Sequence, residues 1–404
     1  MSEPLVVIGN GMAAARFVEE LAKQALGRYA IAVVGEEPRL AYNRVLLSSV
    51  LADDVASADV ELKPAAWWAD HGVTVLYGHG ATGVDRYIRR VRLSNGATLP
   101  YSHLVFATGS QPIRLSVPGM DLPGVMTFRD LADVDRLKKE GTRASKAVVI
   151  GGGLLGLEAA WGLKKAGADV TVVHLMDRLM ERQLDPEGAT LLKASVEAKG
   201  IDICLSAETA RVNGSSRAES VQLLDGRVIP ADIVVVAAGI APNVSLARQA
   251  GLDVNRGIVV DDQMRTSVPS HYAIGECAEH RGRCAGLVEP SYEQAIVLAQ
   301  HLAGHESHYA GSVPATNLKV SGVNLFSAGD FIGAPGTETL TLRDRGLGTY
   351  KKLVISKDRL AGALLFGDTA DGLWYLDLIR SGQSIAHVRN DLAFGQAFAE
   401  RMAA

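Results

Sequence analysis

An apolar run of strand length meets a run of small residues in Leu5-Val-Val-Ile-Gly9-Asn-Gly11-Met-Ala-Ala14. This pattern predicts the strand–turn–helix of a dinucleotide-binding unit. Gly9 allows the tight turn, Gly11 lets the backbone approach a pyrophosphate, and Ala14 lets the helix pack closely on the strand. The pyrophosphate would lie over the helix N-terminus, where N–H groups without helical partners and the helix dipole favour negative charge.

A carboxylate follows the second predicted strand of this unit. Tyr29-Ala-Ile-Ala-Val-Val-Gly35 has the composition of that strand, and Glu36 comes directly after it. A carboxylate there is placed to accept hydrogen bonds from the ribose hydroxyls of a dinucleotide. Glu36, or its neighbour Glu37, could equally be an ordinary solvated carboxylate of the loop.

The same order of features returns in the second part of the chain. Ala147-Val-Val-Ile-Gly151-Gly-Gly153-Leu-Leu-Gly156 is a full G-x-G-x-x-G directly after an apolar run, and Leu157–Ala166 continues it as a predicted helix. Ala231–Gly239 then repeats the apolar strand ending in glycine that is also present in Tyr101–Gly109. Because this pattern of strand, glycine turn and helix occurs twice, it predicts two dinucleotide-binding domains, and the repeat is a far more specific signal than a single copy would be.

The composition is that of a globular α/β protein, with 404 residues, 48% of them apolar, 42 glycines and a formal net charge of −4. This charge gives no reason to expect nucleic acid or an anionic membrane as a partner. No apolar run reaches the roughly 18 residues that a membrane span needs, and no secretory signal precedes the first strand. We therefore expect a cytoplasmic protein.

The three cysteines, Cys204, Cys277 and Cys284, form no C-x-x-C pair. An odd number at this spacing does not favour a disulfide framework or a cysteine-based zinc or iron–sulfur site, so no metal site is expected. Small buried thiols are the expected role. A local redox role for Cys277 and Cys284 stays open.

Taken together, these motifs resemble the pyridine nucleotide–disulfide oxidoreductase superfamily over nearly the whole chain. Within it, the chain is similar to ferredoxin and rubredoxin reductases and to the flavoprotein portion of assimilatory NAD(P)H nitrite reductases. The latter likeness rests on four stretches: Glu37-Pro-Arg-Leu-Ala-Tyr-Asn-Arg-Val-Leu-Leu-Ser48, Val173-His-Leu-Met-Asp-Arg-Leu-Met-Glu-Arg-Gln-Leu-Asp185, Tyr350-Lys-Lys, and Gly367-Asp-Thr369. The resemblance implies FAD on the first unit and NAD(P)H on the second, with NADH favoured.

The fold class that follows is α/β, with two Rossmann-like three-layer dinucleotide-binding domains and a small α+β C-terminal domain. Residues 1–112 and 241–314 are predicted to form a discontinuous FAD-binding domain, and residues 113–240 the NAD(P)-binding domain. Residues 315–404 are predicted to form an interface or dimerisation domain, with an amphipathic helix around Trp374–Arg380.

The resemblance also implies contacts to FAD. Gly9, Gly11, Ala14 and Glu36 would hold its adenosine-diphosphate half. The further implied contacts are Arg44 near the flavin or its pyrophosphate, Thr108 and Gly109 beside FAD, and Gly275 and Glu276 at the ribityl chain. Glu293-Gln294-Ala295 would begin the helix whose N-terminus faces the flavin pyrimidine carbonyl. The family usually has Asp where this chain has Glu276, so the carboxylate reaches one methylene further.

In the second unit, the resemblance implies nicotinamide-cofactor contacts at Gly151, Gly153, Gly156, Glu158, His174 and Gly239. Glu158 would lie near the nicotinamide and, with Arg44, is the candidate catalytic residue. His174 stands where the family has the ribose acid, which leaves the choice between NADH and NADPH open. A 2′-phosphate site would need Arg or Lys in this loop, and Arg178 is the near candidate.

Two departures from the family pattern bear on mechanism. Tyr42–Ser49 contains no redox cysteine, and Ser48-Ser49 stands where ferredoxin reductases usually have Ser-Lys. The resemblance therefore implies hydride transfer from nicotinamide to flavin, with the protein supplying orientation and electrostatics. An NADH oxidase that passes electrons to oxygen, or a protein in which FAD is only structural, are the competing hypotheses.

Electrons would leave the flavin to a separate redox protein or metalloenzyme subunit. The implied role is the reductase component of assimilatory nitrate or nitrite reduction, with a rubredoxin or ferredoxin reductase as the alternative. Six basic residues could form a docking face for an acidic carrier, or be ordinary solvated charges: Arg281, Arg283, Arg343, Arg345, Lys351 and Lys352. A homodimer through the C-terminal domain is also expected.

Overall fold

A computed structural model of the chain describes residues 2–141, 144–320 and 322–403. The chain divides into two compact units. The first comprises Met1–Ile113, Arg129–Leu131 and Ile240–Ser312, and the second comprises Arg114–Phe128, Ala132–Gly239 and Val313–Ala404. The division into three domains stays a prediction.

The described residues contain 26 strands and 10 α-helices. In chain order the strands are β1 (Glu3–Ile8), β2 (Tyr29–Val34), β3 (Thr74–Leu76), β4 (Ala81–Asp85), β5 (Arg90–Leu93), β6 (Thr98–Pro100), β7 (His103–Phe106), β8 (Ser110–Pro112), β9 (Val125–Thr127), β10 (Lys146–Ile150), β11 (Asp169–Val173), β12 (Ile201–Cys204), β13 (Thr209–Asn213), β14 (Ser220–Leu223), β15 (Val228–Pro230), β16 (Ile233–Val236), β17 (Ile240–Pro242), β18 (Ile258–Val260), β19 (His271–Ala273), β20 (Ala278–His280), β21 (Arg283–Cys284), β22 (Ala315–Val320), β23 (Val323–Gly329), β24 (Glu338–Asp344), β25 (Thr349–Ser356) and β26 (Arg359–Phe366). The helices are α1 (Met12–Ala25), α2 (Leu47–Leu51), α3 (Ala65–Asp70), α4 (Leu131–Gly141), α5 (Leu154–Lys165), α6 (Pro186–Glu197), α7 (Ser245–Gln249), α8 (Val288–Ala303), α9 (Gly372–Ser381) and α10 (Gln396–Ala403). Single 3₁₀ turns cover Arg44–Leu46, Gly275–Cys277 and Leu392–Phe394.

A parallel five-stranded sheet in the order β19-β7-β1-β2-β3 forms the centre of the first unit. Its central strand β1 buries Leu5, Val6, Val7 and Ile8 in succession, as expected of a parallel strand covered on both faces. Helix α1 packs against α8. Its buried residues recur with helical spacing (Ala14, Ala15, Phe17, Val18 and Leu21), so one face of α1 belongs to the core.

The second unit repeats this arrangement with the sheet order β12-β11-β10-β16-β9, again parallel. Helix α5 packs on β10 and β11. It begins at Leu154, earlier than the predicted Leu157, because Gly153 already serves as its N-cap and the last part of the glycine motif is helical.

Each unit also contains a three-stranded antiparallel sheet, β4-β5-β6 in the first and β13-β14-β15 in the second. Between β5 and β6 the chain turns at Asn95-Gly96, where Gly96 has φ +84°. Residues 313–403 add an antiparallel sheet in the order β22-β23-β26-β25-β24, on which α9 packs. Helix α9 confirms the helix predicted around Trp374–Arg380, and Tyr375 is fully buried in this core.

The predicted fold class is confirmed: two parallel α/β sheets precede a C-terminal antiparallel sheet with a helix. In the described part of the chain, no helix has the length and apolar character needed to cross a membrane.

Candidate dinucleotide sites

The turn between β1 and α1 has two glycines, one in a crowded position within the protein and one beside open space. Gly9 has φ +114°, and a Cβ on it would lie 2.0 Å from the Ala107 carbonyl oxygen, so the turn presses against the chain that follows β7. A Cβ on Gly11 would meet nothing within 4 Å. Gly9 is therefore needed for packing within the protein, whereas Gly11 keeps the space in front of α1 open.

The residues around this open space fit a dinucleotide pyrophosphate. Gly11 is the N-cap of α1 and supplies no side-chain cap, and the first turn of α1 has no acidic residue. Ala14 is fully buried beneath the turn. Asn10 Oδ1 is buried and has no hydrogen-bond partner within the described residues. Unpartnered N–H groups at a helix N-terminus suit an anion.

The structure distinguishes the two adjacent carboxylates after β2. Glu37 accepts a hydrogen bond from the Tyr42 hydroxyl at 2.7 Å and forms an ion pair with Arg44. Glu36 is exposed, and no hydrogen bond from the described residues reaches its carboxylate. Glu36 is thus the one that is free to accept a ribose hydroxyl.

Arg44 is held by the protein on several sides. Besides Glu37, its Nη1 donates to the Arg129 carbonyl oxygen at 3.1 Å, and its guanidinium lies 5.0 Å from the centre of the Tyr42 ring. Burial alone would lower the pKa of the guanidinium, but the neighbouring Tyr42 and Glu37 raise it. Arg44 is a fixed positive charge in the first unit.

Thr108 and Gly109 follow β7 and are bound to a residue that the sequence analysis missed. The Thr108 hydroxyl donates to the Asn243 carbonyl oxygen at 2.7 Å, and Asn243 Nδ2 donates to the Thr108 carbonyl oxygen at 2.9 Å. The Asn243 N–H also donates to the Gly109 carbonyl oxygen at 2.9 Å. A lone Asn far along the chain gives no sequence signal for this contact.

Gly275 and Gln294 form a second link in the first unit. The Gly275 N–H donates to Gln294 Oε1 at 2.8 Å, and Gln294 is 1% exposed. The predicted helix start near Glu293 is wrong: α8 begins at Val288, so Gln294 lies inside the helix and not at its N-terminus. Gly275 has φ +79°, and a Cβ on it would lie 3.0 Å from the Ala13 Cβ. Gln294 therefore positions the backbone of the Gly275 turn against the start of α1.

The carboxylate of Glu276 is held by two groups, neither of which was among the predicted residues. Arg129 Nη2 forms an ion pair with Glu276, and the Ser110 hydroxyl donates to Glu276 at 2.8 Å. Arg129 also donates to the Ser110 oxygen at 2.9 Å. Together with the bond from Arg44, these contacts explain why the short segment Arg129–Leu131 belongs to the first unit.

The glycine turn of the second unit shows the same close approaches. Gly151 has φ +125°, and a Cβ on it would lie 2.2 Å from the Ala237 carbonyl oxygen. A Cβ on Gly156 would lie 1.9 Å from the Gly151 carbonyl oxygen, whereas one on Gly153 would meet nothing within 4 Å. Gly153 caps α5 without a side chain, so this helix N-terminus also fits a pyrophosphate.

Two further predicted residues lie on the same unit. Glu158 is half-buried on α5, and Gly239 follows β16 with φ +116°. A left-handed glycine at this position ends the strand abruptly, as the sequence pattern indicates.

His174, the predicted ribose-position residue, is 8% exposed. Its Nδ1 accepts a hydrogen bond from the Gly152 N–H at 3.0 Å, and its Nε2 lies 3.2 Å from Glu181 Oε2. Arg178 Nη1 lies 3.0 Å from Asp177 Oδ1 of the same loop.

The cysteines are free thiols. Cys277 is fully buried, and burial raises the pKa of its thiol, which disfavours the reactive thiolate. Within the described residues, no group of three or more His, Cys, Asp or Glu is arranged to hold a metal ion.

Most of the candidate docking cations have partners inside the protein. Arg281 pairs with Asp262, Arg343 with Glu187, Lys351 with Asp371 and Lys352 with Asp185. These pairs favour a structural role for the four residues.

Models of two protein families match the chain. Residues 3–301 match pyridine nucleotide-disulphide oxidoreductase, and residues 314–383 match the rubredoxin NAD+ reductase C-terminal domain. Nitrite reductase (NAD(P)H) of Bacillus subtilis (strain 168) is 44% identical over 383 residues, which cover 95% of this chain and 48% of that protein. The assimilatory nitrate reductase electron transfer subunit of the same organism is 41% identical over 389 residues, covering 96% and 50%.

Among solved structures, the ferredoxin reductase for the CYP199A2 system of Rhodopseudomonas palustris superposes with a TM-score of 0.90 at 26% identity, covering 100% of both chains. The chain belongs to the pyridine nucleotide-disulphide oxidoreductase family. The predicted class, an FAD-dependent NAD(P)H oxidoreductase, is confirmed. The chain spans about half the length of the two curated relatives.

Proposed function

We propose that this chain moves hydride from NADH to FAD and passes electrons to a separate redox protein, as the electron-transfer component of assimilatory nitrate or nitrite reduction. The pair of glycine turns, each leaving an uncapped helix N-terminus open, carries the proposal. The likeness to a nitrite reductase and to a nitrate reductase electron transfer subunit supports this physiological role.

In this proposal the FAD-binding domain comprises residues 1–112 and 241–314, and the NAD(P)-binding domain residues 113–240. FAD, when bound, supplies two-electron acceptance from a nicotinamide and one-electron release to a carrier. The proposed FAD site is formed by Gly9, Gly11, Ala14, Glu36, Arg44, Thr108, Gly109, Gly275, Glu276 and Gln294. Ala14 and Gln294 are buried and shape this site from behind its surface. The proposed dinucleotide site of the second domain is formed by Gly151, Gly153, Gly156, Glu158, His174 and Gly239. The buried His174 shapes this site through its hydrogen bonds to Gly152 and Glu181.

The chain's own residues contribute orientation and fixed charge. Gln294 and Asn243 hold the Gly275 and Thr108 turns in place, and Arg44 contributes a positive charge that its partners keep in one position. A dithiol relay is disfavoured because Tyr42–Ser49 has no cysteine and burial raises the pKa of the Cys277 thiol.

A second candidate is a reductase for rubredoxin or a ferredoxin. The match of residues 314–383 to the rubredoxin NAD+ reductase C-terminal domain favours it. Ser48-Ser49, where ferredoxin reductases usually have Ser-Lys, speaks against a close functional match.

The first test is anaerobic titration of the purified protein with NADH and, separately, with NADPH. We expect the visible flavin band to bleach at about one equivalent of NADH, since each nicotinamide delivers two electrons. Protein that carries FAD and is bleached by neither nucleotide would contradict the proposal and favour a structural role for FAD.

The second test identifies the acceptor. The protein and NADH are mixed anaerobically with rubredoxin, with a [2Fe–2S] ferredoxin, or with a separately purified sirohaem nitrite reductase fragment and nitrite. We expect nitrite loss that depends on both NADH and this chain. Rapid reduction of rubredoxin or ferredoxin without nitrite loss would replace the proposal with the second candidate, and rapid aerobic NADH oxidation without any carrier would indicate an oxidase.

A further inference from the structure

The strand register shows which residues of the second unit occupy the ribose-binding positions. In the first unit Ile8 pairs with Val34, so Gly35 and then Glu36 follow the paired end of β2. In the second, Ile150 pairs with Val173, so His174 takes the place of Gly35, and Leu175 the place of Glu36. Leu175 has no hydrogen-bonding side chain and is 61% exposed. Neither position provides the carboxylate that usually binds the ribose.

The imidazole of His174 is turned towards the glycine turn. A backbone N–H can only donate, so Nδ1, which accepts from Gly152, carries a lone pair and the ring proton lies on Nε2. Nε2–H therefore donates to Glu181 Oε2 across 3.2 Å. The ring leaves no room for a side chain at position 152, since a Cβ on Gly152 would lie 2.7 Å from His174 Cγ.

The backbone of the loop fixes Glu181 independently of His174. The Met180 N–H donates to the Gly152 carbonyl oxygen at 3.1 Å, and the Leu184 N–H donates to the Met180 carbonyl oxygen at 2.9 Å. Leu179 and Met180 are both fully buried. Because Glu181 directly follows this buried anchor, its carboxylate is held beside the glycine turn at the carboxyl edge of the sheet.

We propose that Glu181, oriented by His174, supplies the carboxylate that binds the adenosine ribose of NADH. This rests on the proposed function, in which the second unit takes the nicotinamide dinucleotide. While Oε2 bonds to His174, Oε1 lies 3.9 Å from Arg182 Nε, too far for a hydrogen bond, and the side chain keeps 24% of its area exposed. Oε1 is the oxygen that accepts the 2′-hydroxyl.

The same geometry disfavours NADPH. The loop from Leu175 to Leu184 has two guanidinium groups, and each lies beside a carboxylate: Arg178 beside Asp177, and Arg182 beside Glu181. The loop therefore offers no excess positive charge to a 2′-phosphate, and Glu181 repels it. Specificity then comes from an attractive contact to one cofactor and a repulsive one to the other.

The test measures binding without turnover. The dissociation constants of NAD+ and NADP+ are determined by calorimetry for the FAD-loaded wild-type protein and for Glu181→Gln, which keeps an acceptor for His174 but loses the charge. We expect wild-type protein to prefer NAD+. In the variant we expect NAD+ to bind about tenfold more weakly, as for a lost charge-assisted hydrogen bond, and NADP+ to bind more tightly.

Asp169→Asn is the matched control, because it neutralises a carboxylate at the opposite end of β11 whose side chain is 84% exposed. We expect its preference for NAD+ to stay within about twofold of wild type, since surface charges contribute little. An unchanged preference in Glu181→Gln, or an equal change in Asp169→Asn, would overturn the assignment.

His174→Asn tests the positioning role, since its side chain can still accept from the Gly152 N–H but cannot reach Glu181. We expect a reduced preference for NAD+ in the folded variant, even though losing the packed ring should also lower the thermal midpoint, because lost packing alone would weaken both dinucleotides alike. A preference equal to wild type would show that His174 does not orient Glu181. Wild-type protein that binds neither dinucleotide would overturn the proposed function together with this inference, whereas binding with an intact preference in Glu181→Gln overturns the inference alone.

Discussion

In each unit one side chain fills the space between the glycine turn and the end of the next strand, but that side chain comes from a different position in the two units. In the first unit Asn10 lies in the middle of the turn and donates to the Arg39 carbonyl oxygen at 3.1 Å, and a Cβ on Gly35 would lie 2.7 Å from the Asn10 Cβ. In the second unit the turn has Gly152, and the side chain comes from His174 in the loop after β11.

This exchange shows that the middle residue of the turn and the first residue after the next strand are one packing unit. A side chain can occupy either position, and glycine is required at the other. The exchange also accounts for the different ribose-binding arrangements, because an inward-facing His174 leaves the carboxylate to be supplied from further along the loop.

The largest effect is expected where the two turns agree. Gly9→Ala and Gly151→Ala each place a Cβ about 2 Å from a carbonyl oxygen, at a φ that side chains rarely adopt. Strain and overpacking together should lower the free energy of unfolding by at least about 3 kcal/mol. Thermal unfolding of the purified variants measures this loss.

Gly11→Ala and Gly153→Ala are the matched controls, because an added Cβ there meets nothing within 4 Å. They should unfold close to wild type yet bind FAD and NADH, respectively, more weakly, since the added methyl group obstructs the pyrophosphate. Wild-type stability in Gly9→Ala, or a fold lost in Gly11→Ala, would refute this division of roles.

Gly152→Ala probes the exchanged side chains directly. Its Cβ would lie 2.7 Å from both His174 Cγ and Leu179 Cδ2, which should cost about 2 kcal/mol of stability. The second change His174→Gly should recover part of that loss, giving a coupling energy of about 1 kcal/mol in a double-mutant cycle. Strictly additive effects would show that the ring does not restrict residue 152.

Asn10→Ala removes the corresponding link in the first unit. Losing the bond to the Arg39 carbonyl oxygen should lower stability by about 1 kcal/mol. Because the change lies beside the proposed FAD site, the FAD content per chain should also fall, while NAD+ affinity should not change. Calorimetry and the flavin absorbance measure the two quantities, and a change in NAD+ affinity alone would contradict the expectation.

The smallest effect concerns how each central strand begins. The Glu3 N–H at the start of β1 donates to the Arg28 carbonyl oxygen, whereas the Ser145 and Lys146 N–H groups at the start of β10 donate to the Asp232 carboxylate. The backbone N–H of Lys146 and the hydroxyl of Ser145 lower the pKa of Asp232 below its usual 3.8.

A lowered folded-state pKa stabilises the protein above pH 3.8, and that contribution disappears as the pH falls through the lower value. Asp232→Asn should therefore unfold at a lower temperature than wild type at pH 6. The loss in the free energy of unfolding should be under about 1 kcal/mol, because solvent screens the carboxylate. The two unfolding curves should converge as the pH falls below 3.8. A difference that persists in acid would assign the effect to hydrogen bonding alone.

Sequence reasoning succeeded where a feature depends on neighbouring residues. The order of apolar strand, glycine turn and helix at Gly9 and Gly151 is a local pattern, and it predicted both parallel sheets. The sequence did not show which of Glu36 and Glu37 is exposed and which is bound within the protein. The two carboxylates are adjacent, and only the folded structure brings Arg44 to Glu37 and leaves Glu36 exposed.

The residues that sequence reasoning missed are single polar side chains with distant partners. Arg129 meets Glu276 across 147 positions, and Asn243 meets Thr108 across 135. No spacing rule covers such pairs, since their encounter depends on how the whole first unit closes.

Local chemistry along the chain was thus sufficient for the fold class, the two glycine turns and the family, because turns and strand ends are determined by residues only a few positions apart. Tertiary packing decided which side chain faces each turn. His174 illustrates the difference. The sequence pattern predicts its position directly after β11. Its inward orientation depends on the space that Gly152 leaves and on the Glu181 carboxylate that the folded loop brings beside it.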